Sequence, residues 1–233
     1  MMPAMSSPVS DDPLHFTYWS DPLCVWAFVA QPVLEKLLEH LGSAGEVEYR
    51  VVPVFGSVPW RFSRGAWSAG GVSGRVAKTA EIARQFGRTD VTGEIWRHDP
   101  PASSWSPALA IKAAFRLERN GRVEPGCAAR FQWRIREAFF VENRNVARRQ
   151  VQLDLARACD IPIDALCEPM DDGTAMADLW EDHQDKETSK VQGSPTFAFD
   201  GGRTMLYGNV PTDVLWATVD ALRRGTEMGR SAC

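Results

Sequence analysis

The stretch "WSDPLCVWAF" (residues 19–28) ends a strand-like run and begins a helical one, with a cysteine at the junction. Upstream, "LHFTYWS" (14–20) alternates and is rich in aromatic and β-branched residues, which predicts a strand. Asp21-Pro22-Leu23 turns the chain. The following "CVWAFVAQPVLEKLLEHL" (24–41) keeps Phe28, Val29, Val33, Leu34, Leu37, Leu38 and Leu41 at helical spacing, and Gly42 stops it. Pro32 has no amide to give and predicts a kink inside that helix. "EVEYRVVPV" (46–54) reads as a second strand. A strand, a crossover helix and a strand in so short a span predict a βαβ unit with parallel strands.

Beyond it the texture changes. "FGSVPWRFSRGAWSAGGVSGR" (55–75) holds no steady period and reads as a long irregular segment; its glycines do not form a nucleotide fingerprint. From about 76 to 190 the pattern is mainly helical, with helices expected over 106–121 from a Ser-Pro start, 128–144, 148–161 and, more weakly, 174–191. "PTFAFDGGRTMLYGN" (195–209) gives two short strands joined by Asp-Gly-Gly, a hairpin signal, and 211–225 gives a last helix with Pro211 at its first turn.

Bulk properties narrow the function. The 233 residues are 44% hydrophobic and 24% charged, ordinary for a chain with a real core, and the net charge of −4 gives no general affinity for nucleic-acid phosphates. The N-terminus lacks the basic start and apolar run of a signal peptide, and no apolar stretch approaches the roughly 20 residues of a membrane helix, so a cytoplasmic protein is expected. The five cysteines, Cys24, Cys127, Cys159, Cys167 and Cys233, form neither a disulfide framework nor a zinc pattern. His15, His40, His98 and His183 show no metal spacing, so no metal is expected. Seven acids and one lysine between 171 and 187 read as a solvated helix face. Arg61, Arg64 and Arg75 either bind a substrate carboxylate or belong to a plain solvated loop.

A βαβ half with a cysteine at the first helix start, a helical stretch, and "VQGSPTF" (191–197) opening a ββα half together resemble the DsbA-like branch of the thioredoxin superfamily. That branch includes FrnE-type oxidoreductases, kappa-class glutathione transferases and 2-hydroxychromene-2-carboxylate isomerases. "SDPLCVWAF" resembles the family's D-P-x-C-P-W-C segment and "GSPTF" its G-x-P-T-F segment, while "PASSWSPALAIKAAFRLERNG" (101–121) resembles the helix opening of the isomerase and transferase relatives. The resemblance runs from about His15 to Leu222. It implies an α/β thioredoxin-like fold (βαβ…ββα) with a large α-helical insertion: a discontinuous thioredoxin-like domain of residues 14–56 and 192–225, a helical insertion of 75–191, and disordered ends at 1–13 and 226–233. It also implies a cis bond at Ser194–Pro195, facing the Ser194 backbone toward Cys24, where it can pair with a peptide or a glutathione-like thiol.

Cys24 is the candidate nucleophile, because unpaired amides and the macrodipole at a helix N-terminus favour a thiolate and lower its pKa. Asp21, if close in space, opposes that. The second cysteine of a dithiol site is replaced by Ala27, and Val25 stands where these relatives often have Pro. A local disulfide is therefore excluded, and so is release of a mixed disulfide by a neighbouring thiol. A lone sulfur keeps three options: monothiol exchange through mixed disulfides, presentation of a bound thiol such as glutathione to a small aromatic electrophile, or a non-catalytic binding role. Ser194, Pro195 and Thr196 are the expected thiol- or substrate-binding residues, with Trp19 and Trp26 as flat cleft walls. Partners are expected to be a small thiol or disulfide, with a homodimer as an option, and without nucleic acid or membrane. No tightly bound cofactor is expected; glutathione or another low-molecular-weight thiol would serve as co-substrate. Cys233 is a candidate resolving thiol on the tail, while Cys127, Cys159 and Cys167 are expected to be structural.

Overall fold

Strand β1 (Leu14–Ser20) occupies the stretch whose alternation predicted it, and β2 (Gly45–Val51) lies parallel to it, Leu14 opposite Gly45 and Ser20 opposite Val51. The computed structural model describes residues 13–64, 68 and 70–224. Both predicted loose ends lie outside the described residues save for Pro13, and Cys233 lies outside them too. Strands β3 (Thr196–Phe199) and β4 (Thr204–Tyr207) form the expected hairpin around Asp200–Gly202. β3 pairs antiparallel with β1, completing a four-stranded mixed sheet of order β2-β1-β3-β4. The last described element is a helix over Thr212–Arg223.

The helix predicted over 24–41 is two helices. α1 (Val25–Val29) ends at Ala30, and α2 (Gln31–Leu41) starts afresh with Pro32 in its first turn. Proline carries no amide and fits only where a helix begins, so the chain restarts around it rather than bending. Val33 and Leu34 both donate their amides to the Ala30 carbonyl, at 3.0 and 3.1 Å.

Among the described residues, eight helices separate β2 from β3: α3 (Val58–Phe62), α4 (Gly71–Gln85), α5 (Ile95–His98), α6 (Trp105–Arg119), α7 (Cys127–Phe140), α8 (Arg149–Arg157), α9 (Ile163–Asp171) and α10 (Thr174–Thr188). The segment read as irregular, 55–75, is therefore partly helical. The Ser57 hydroxyl accepts the Trp60 amide at 3.3 Å with Pro59 in the first turn, which is enough to form α3 despite the lack of apolar period. α4 starts at Gly71 behind Gly70, whose φ of +74° suits only a residue without a Cβ.

Two apolar cores divide the molecule. One faces the sheet: Phe16, Tyr18, Phe197 and Phe199 against Leu34, Leu37 and Leu41 of α2 and Leu215 and Val219 of the last helix, which is now α11. The larger core belongs to the inserted helices, including Phe131, Ile135, Phe139 and Phe140 of α7, and it takes in Leu23, Cys24, Val25, Ala27, Phe28 and Val29 of the cysteine-bearing turn and α1. Burial of each such side chain contributes about 1.5–3 kcal/mol. The acidic stretch 171–187 is not wholly solvated, as had been expected. Asp182 is 2% exposed and takes the Lys112 ammonium at 2.8 Å and the Val51 amide at 2.9 Å, tying α10 and α6 to the end of β2.

Candidate active site

Cys24 stands at the N-cap of α1 in an extended conformation, and its carbonyl accepts the Phe28 amide at 3.0 Å. Its placement depends on Asp21, which is fully buried. One carboxylate oxygen of Asp21 accepts the Leu23 amide at 2.7 Å; the other accepts the Phe55 amide at 3.0 Å and the Ser104 hydroxyl at 2.8 Å. The Asp21 amide donates to the Ser194 hydroxyl at 2.9 Å, and the Asp21 carbonyl accepts the Cys24 amide at 3.1 Å. One aspartate thus fastens the turn to the chain after β2, to α6 and to the start of the hairpin half.

Behind that turn the Ser20 hydroxyl accepts Arg136 Nη2 at 2.6 Å and Gln132 Nε2 at 3.1 Å, both from α7. The Ser194–Pro195 bond is cis, as expected. The Ser194 carbonyl faces Cys24 and accepts its thiol hydrogen, Sγ to O 3.2 Å. Thr196 donates its hydroxyl to the Gly193 carbonyl at 2.8 Å, bracing the loop from within.

The expected low thiol pKa is not borne out. Burial pushes the Cys24 thiol up, and the Asp21 charge adds to the rise; the Ser194 side chain and the Ala27 and Trp26 amides pull the other way. Cys24 is 6% exposed. The reason lies in two features the periodicity concealed. The helix behind the cysteine has five residues rather than eighteen, so little dipole accumulates. Desolvation of a small buried anion then outweighs two local amides. Burial likewise raises Asp21, opposed by the Phe55 and Leu23 amides and the Ser104 hydroxyl.

A cavity of about 770 Å³ opens at Cys24. Val52, Val54, Phe55 and Ile82 give it apolar lining, joined by Trp26, Tyr207, Gln192, Gly193 and Ser194. Arg61, Arg75, Lys78 and Lys186 also line it, and no acid does among the described residues. The guanidiniums of Arg61 and Arg75 lie over the Phe55 ring at 5.3 and 5.4 Å, and Arg75 also covers Trp96 at 5.1 Å. Burial pushes Arg75 down to about 10, with the Arg61 charge adding to the drop and the Cys24 sulfur opposing it. Arg75 remains cationic at neutral pH.

Of the residues singled out from sequence, Cys24, Trp26 and Ser194 line this cavity, and Pro195 follows directly. Thr196 is buried inside β3, with its hydroxyl turned to the chain. Trp19 is not at the cleft: it is 3% exposed, packed with Val52, Val191 and Ala198, with Arg50 over its ring at 5.5 Å. Arg61 and Arg75 reach the cavity, whereas Arg64 stacks on Trp60 at 5.1 Å and is not among the lining residues. Sequence reading missed Lys78, Lys186, Tyr207 and Ser104. Lys186 carried a signal, being the lone cation among the seven acids of 171–187. Among the described residues no group of three or more His, Cys, Asp or Glu is arranged to hold a metal, and no helix is long and apolar enough to cross a membrane.

Comparison with known proteins agrees with this fold. The family model of the DSBA-like thioredoxin domain matches residues 16–220. A curated relative, the ClpXP adapter protein SpxH of Halalkalibacterium halodurans, is 29% identical over 190 residues; the match covers 80% of this chain but 58% of SpxH, so the chain spans little more than half of its length. The cytosolic disulfide reductase DsbM of Pseudomonas aeruginosa superposes with a TM-score of 0.67 at 24% identity, over 90% of this chain and 99% of that one; a second DsbM structure contains glutathione. A 2-hydroxychromene-2-carboxylate isomerase superposes with a TM-score of 0.64 at 15% identity, over 93% of this chain and all of that one.

Proposed function

This chain belongs to the DSBA-like thioredoxin domain family, and from that premise we propose that it is a monothiol exchange enzyme for a carboxylate-bearing low-molecular-weight thiol or disulfide of the glutathione type, with Cys24 as its one reacting sulfur. The observation that carries this reading is the shared cavity. A nucleophilic sulfur, a facing backbone carbonyl and four cations meet there, with no acid among the described lining residues. Lys78 and Lys186 are paired with Glu81 and Glu187, while Arg61 and Arg75 offer planar forks suited to a carboxylate.

In the reaction, the incoming backbone takes over the Ser194 carbonyl, releasing the Cys24 thiol from the bond that keeps its proton in place. The Trp26 and Ala27 amides then stabilise the thiolate, which attacks one sulfur of the small disulfide. The Cys24–sulfur bond forms, the S–S bond breaks, and the departing thiolate takes up a proton. A second small thiol attacks the mixed disulfide and restores Cys24. Ala27 makes that outside thiol necessary. The described cysteines are all free, which supports a reducing compartment, and the cytosolic location of the DsbM relative supports the cytoplasm.

The apolar lining beside the cations favours a second reading, in which bound glutathione rather than Cys24 attacks a small aromatic electrophile. The experiment is incubation of the purified chain with oxidised glutathione, following intact mass and released thiol. One adduct on Cys24, turned over by reduced glutathione and lost in Cys24→Ser, is the expected result. Glutathione-dependent isomerisation or conjugation that survives Cys24→Ser would transfer the function to the second reading. A site inert in both assays would leave a binding role, of which the adapter relative is an example.

A further inference from the structure

A pair of thiols lies far from Cys24 in sequence and apart from the chemistry above. Cys127 opens α7 behind Gly126, whose φ is +81°, and Cys159 sits in the turn that follows α8. The Cys127 thiol donates to the Cys159 carbonyl, Sγ to O 3.1 Å, across 32 residues of chain. Standard bond lengths place that oxygen about 2.4 Å from its own Cα, so Cys127 Sγ lies within about 5.5 Å of the Cys159 Cα. The two side chains therefore meet at one turn, and bond closure requires that their Cα atoms settle within the roughly 4.4–6.8 Å that a disulfide spans.

The pair is buried, at 2% and 5% exposure, but only one residue deep, since Arg157, Ala158 and Asp160 around Cys159 are all exposed. The turn itself is tight. The Cys159 and Ile161 amides both donate to Ala156, and Asp160 between them has a φ of +59°.

The geometry points to Cys127 and Cys159 as an oxidisable dithiol that closes to a disulfide in the presence of a low-molecular-weight disulfide, independently of Cys24. The steps balance. One cysteine attacks the small disulfide, forming a mixed disulfide and releasing one small thiol. The other cysteine then attacks the protein-bound sulfur, forming the Cys127–Cys159 bond and releasing the second. Two electrons pass from the pair to the small disulfide, and its two sulfurs carry off both protons. In the resting fold burial raises both thiols, with Arg130 and Arg134 opposing it around the pair, so the pair is protonated and inert until the exposed turn at 157–160 opens.

The test uses the full chain carrying Cys24→Ser, incubated with oxidised glutathione, quenched in acid, alkylated and mapped by mass spectrometry. The expected result is one linked peptide joining Cys127 to Cys159, two hydrogens lighter than its parts, reversed by reductant and lost in Cys127→Ala. The same mapping on the unsubstituted chain keeps the outcome readable should either variant fail to fold. Separate glutathione adducts on the two cysteines, a link from either one to Cys167 or Cys233, or two thiols that stay alkylatable throughout would each overturn the assignment.

Discussion

The sulfur of Cys24 lies 3.2 Å from the carbonyl oxygen of Ser194 and donates its hydrogen there, joining residues 170 apart in sequence. A thiol that serves as donor is a protonated thiol. The resting site therefore holds its thiol closed, and on the proposed function a substrate donor at the Ser194 carbonyl would release it. Asp21 enforces that state from below, being buried and three residues away, with its charge opposing a thiolate.

Alkylation of Cys24 should therefore be slow at neutral pH and accelerate only above the ordinary range of a free thiol. The linkage has the same sign. A thiol whose folded pKa is raised holds its proton in the folded state after the unfolded chain has lost it, so folding stability falls as pH rises from the unfolded value through the folded one. Asp21→Asn removes the opposing charge and should shift the alkylation profile to lower pH. It also turns an amide toward the Phe55 amide, which had donated to the carboxylate, and should destabilise the fold by about 1–3 kcal/mol in urea. A profile unmoved by Asp21→Asn would remove the carboxylate from this account.

Arg75→Met should separate charge recognition from sulfur chemistry. The loss of one half-buried guanidinium should weaken use of glutathione roughly tenfold or more, as expected for a charge-assisted contact of about 1.5–3 kcal/mol. Reaction with an uncharged thiol such as 2-mercaptoethanol should stay within about twofold. Equal loss for both thiols, measured as kcat/KM, would assign Arg75 a structural role over Phe55 and Trp96 instead.

Ala27→Cys restores a second sulfur one turn beyond Cys24 and should confer dithiol activity on a protein disulfide such as insulin, resolved without an added thiol. Ala27 is wholly buried in the larger core, so the added atom should cost about 1–3 kcal/mol of stability. Insulin reduction by the parent chain at a comparable rate would show that Ala27 does not limit the chemistry.

Gly93→Ala should be among the most damaging small substitutions. Gly93 has a φ of +75°, and a Cβ there would meet the Val76 carbonyl at 2.6 Å, where α4 runs close beside α5. Strain of this kind costs roughly 1–3 kcal/mol, and relieving the contact moves the helix that carries Arg75 and Lys78. Thermal unfolding should drop by several degrees, with a fall in glutathione use larger than that with an uncharged thiol.

The sheet was legible because its signals are local. Alternation over 14–20 and Asp-Gly-Gly at 200–202 each need only neighbouring residues to be read. The site was legible as far as Cys24, Trp26 and the Ser194–Pro195 step. Trp19 went astray because an alternating strand covered on both sides gives no mark of which face meets the cleft; Trp19 points with Thr17, away from Phe16, Tyr18 and Ser20. The thiol's electrostatics were hidden because burial is contributed from afar: Phe55, Ser104 and Ser194 converge on residues 21–24 from three other segments. Arg75 and Lys78 face the cavity from a helix whose first turn, rich in glycine and serine, resembled a loop.

The interruption at Ala30 divides allegiance as well as geometry. Residues up to Val29 are seated among the inserted helices, whereas Leu34, Leu37 and Leu41 are seated against the sheet. The cysteine-bearing turn is thus shared between the insertion, which packs its apolar side chains, and the hairpin half, which bonds Asp21 and Cys24 through Ser194. Reshaping the inserted helices would reposition the sulfur against a carbonyl supplied by the other half of the fold.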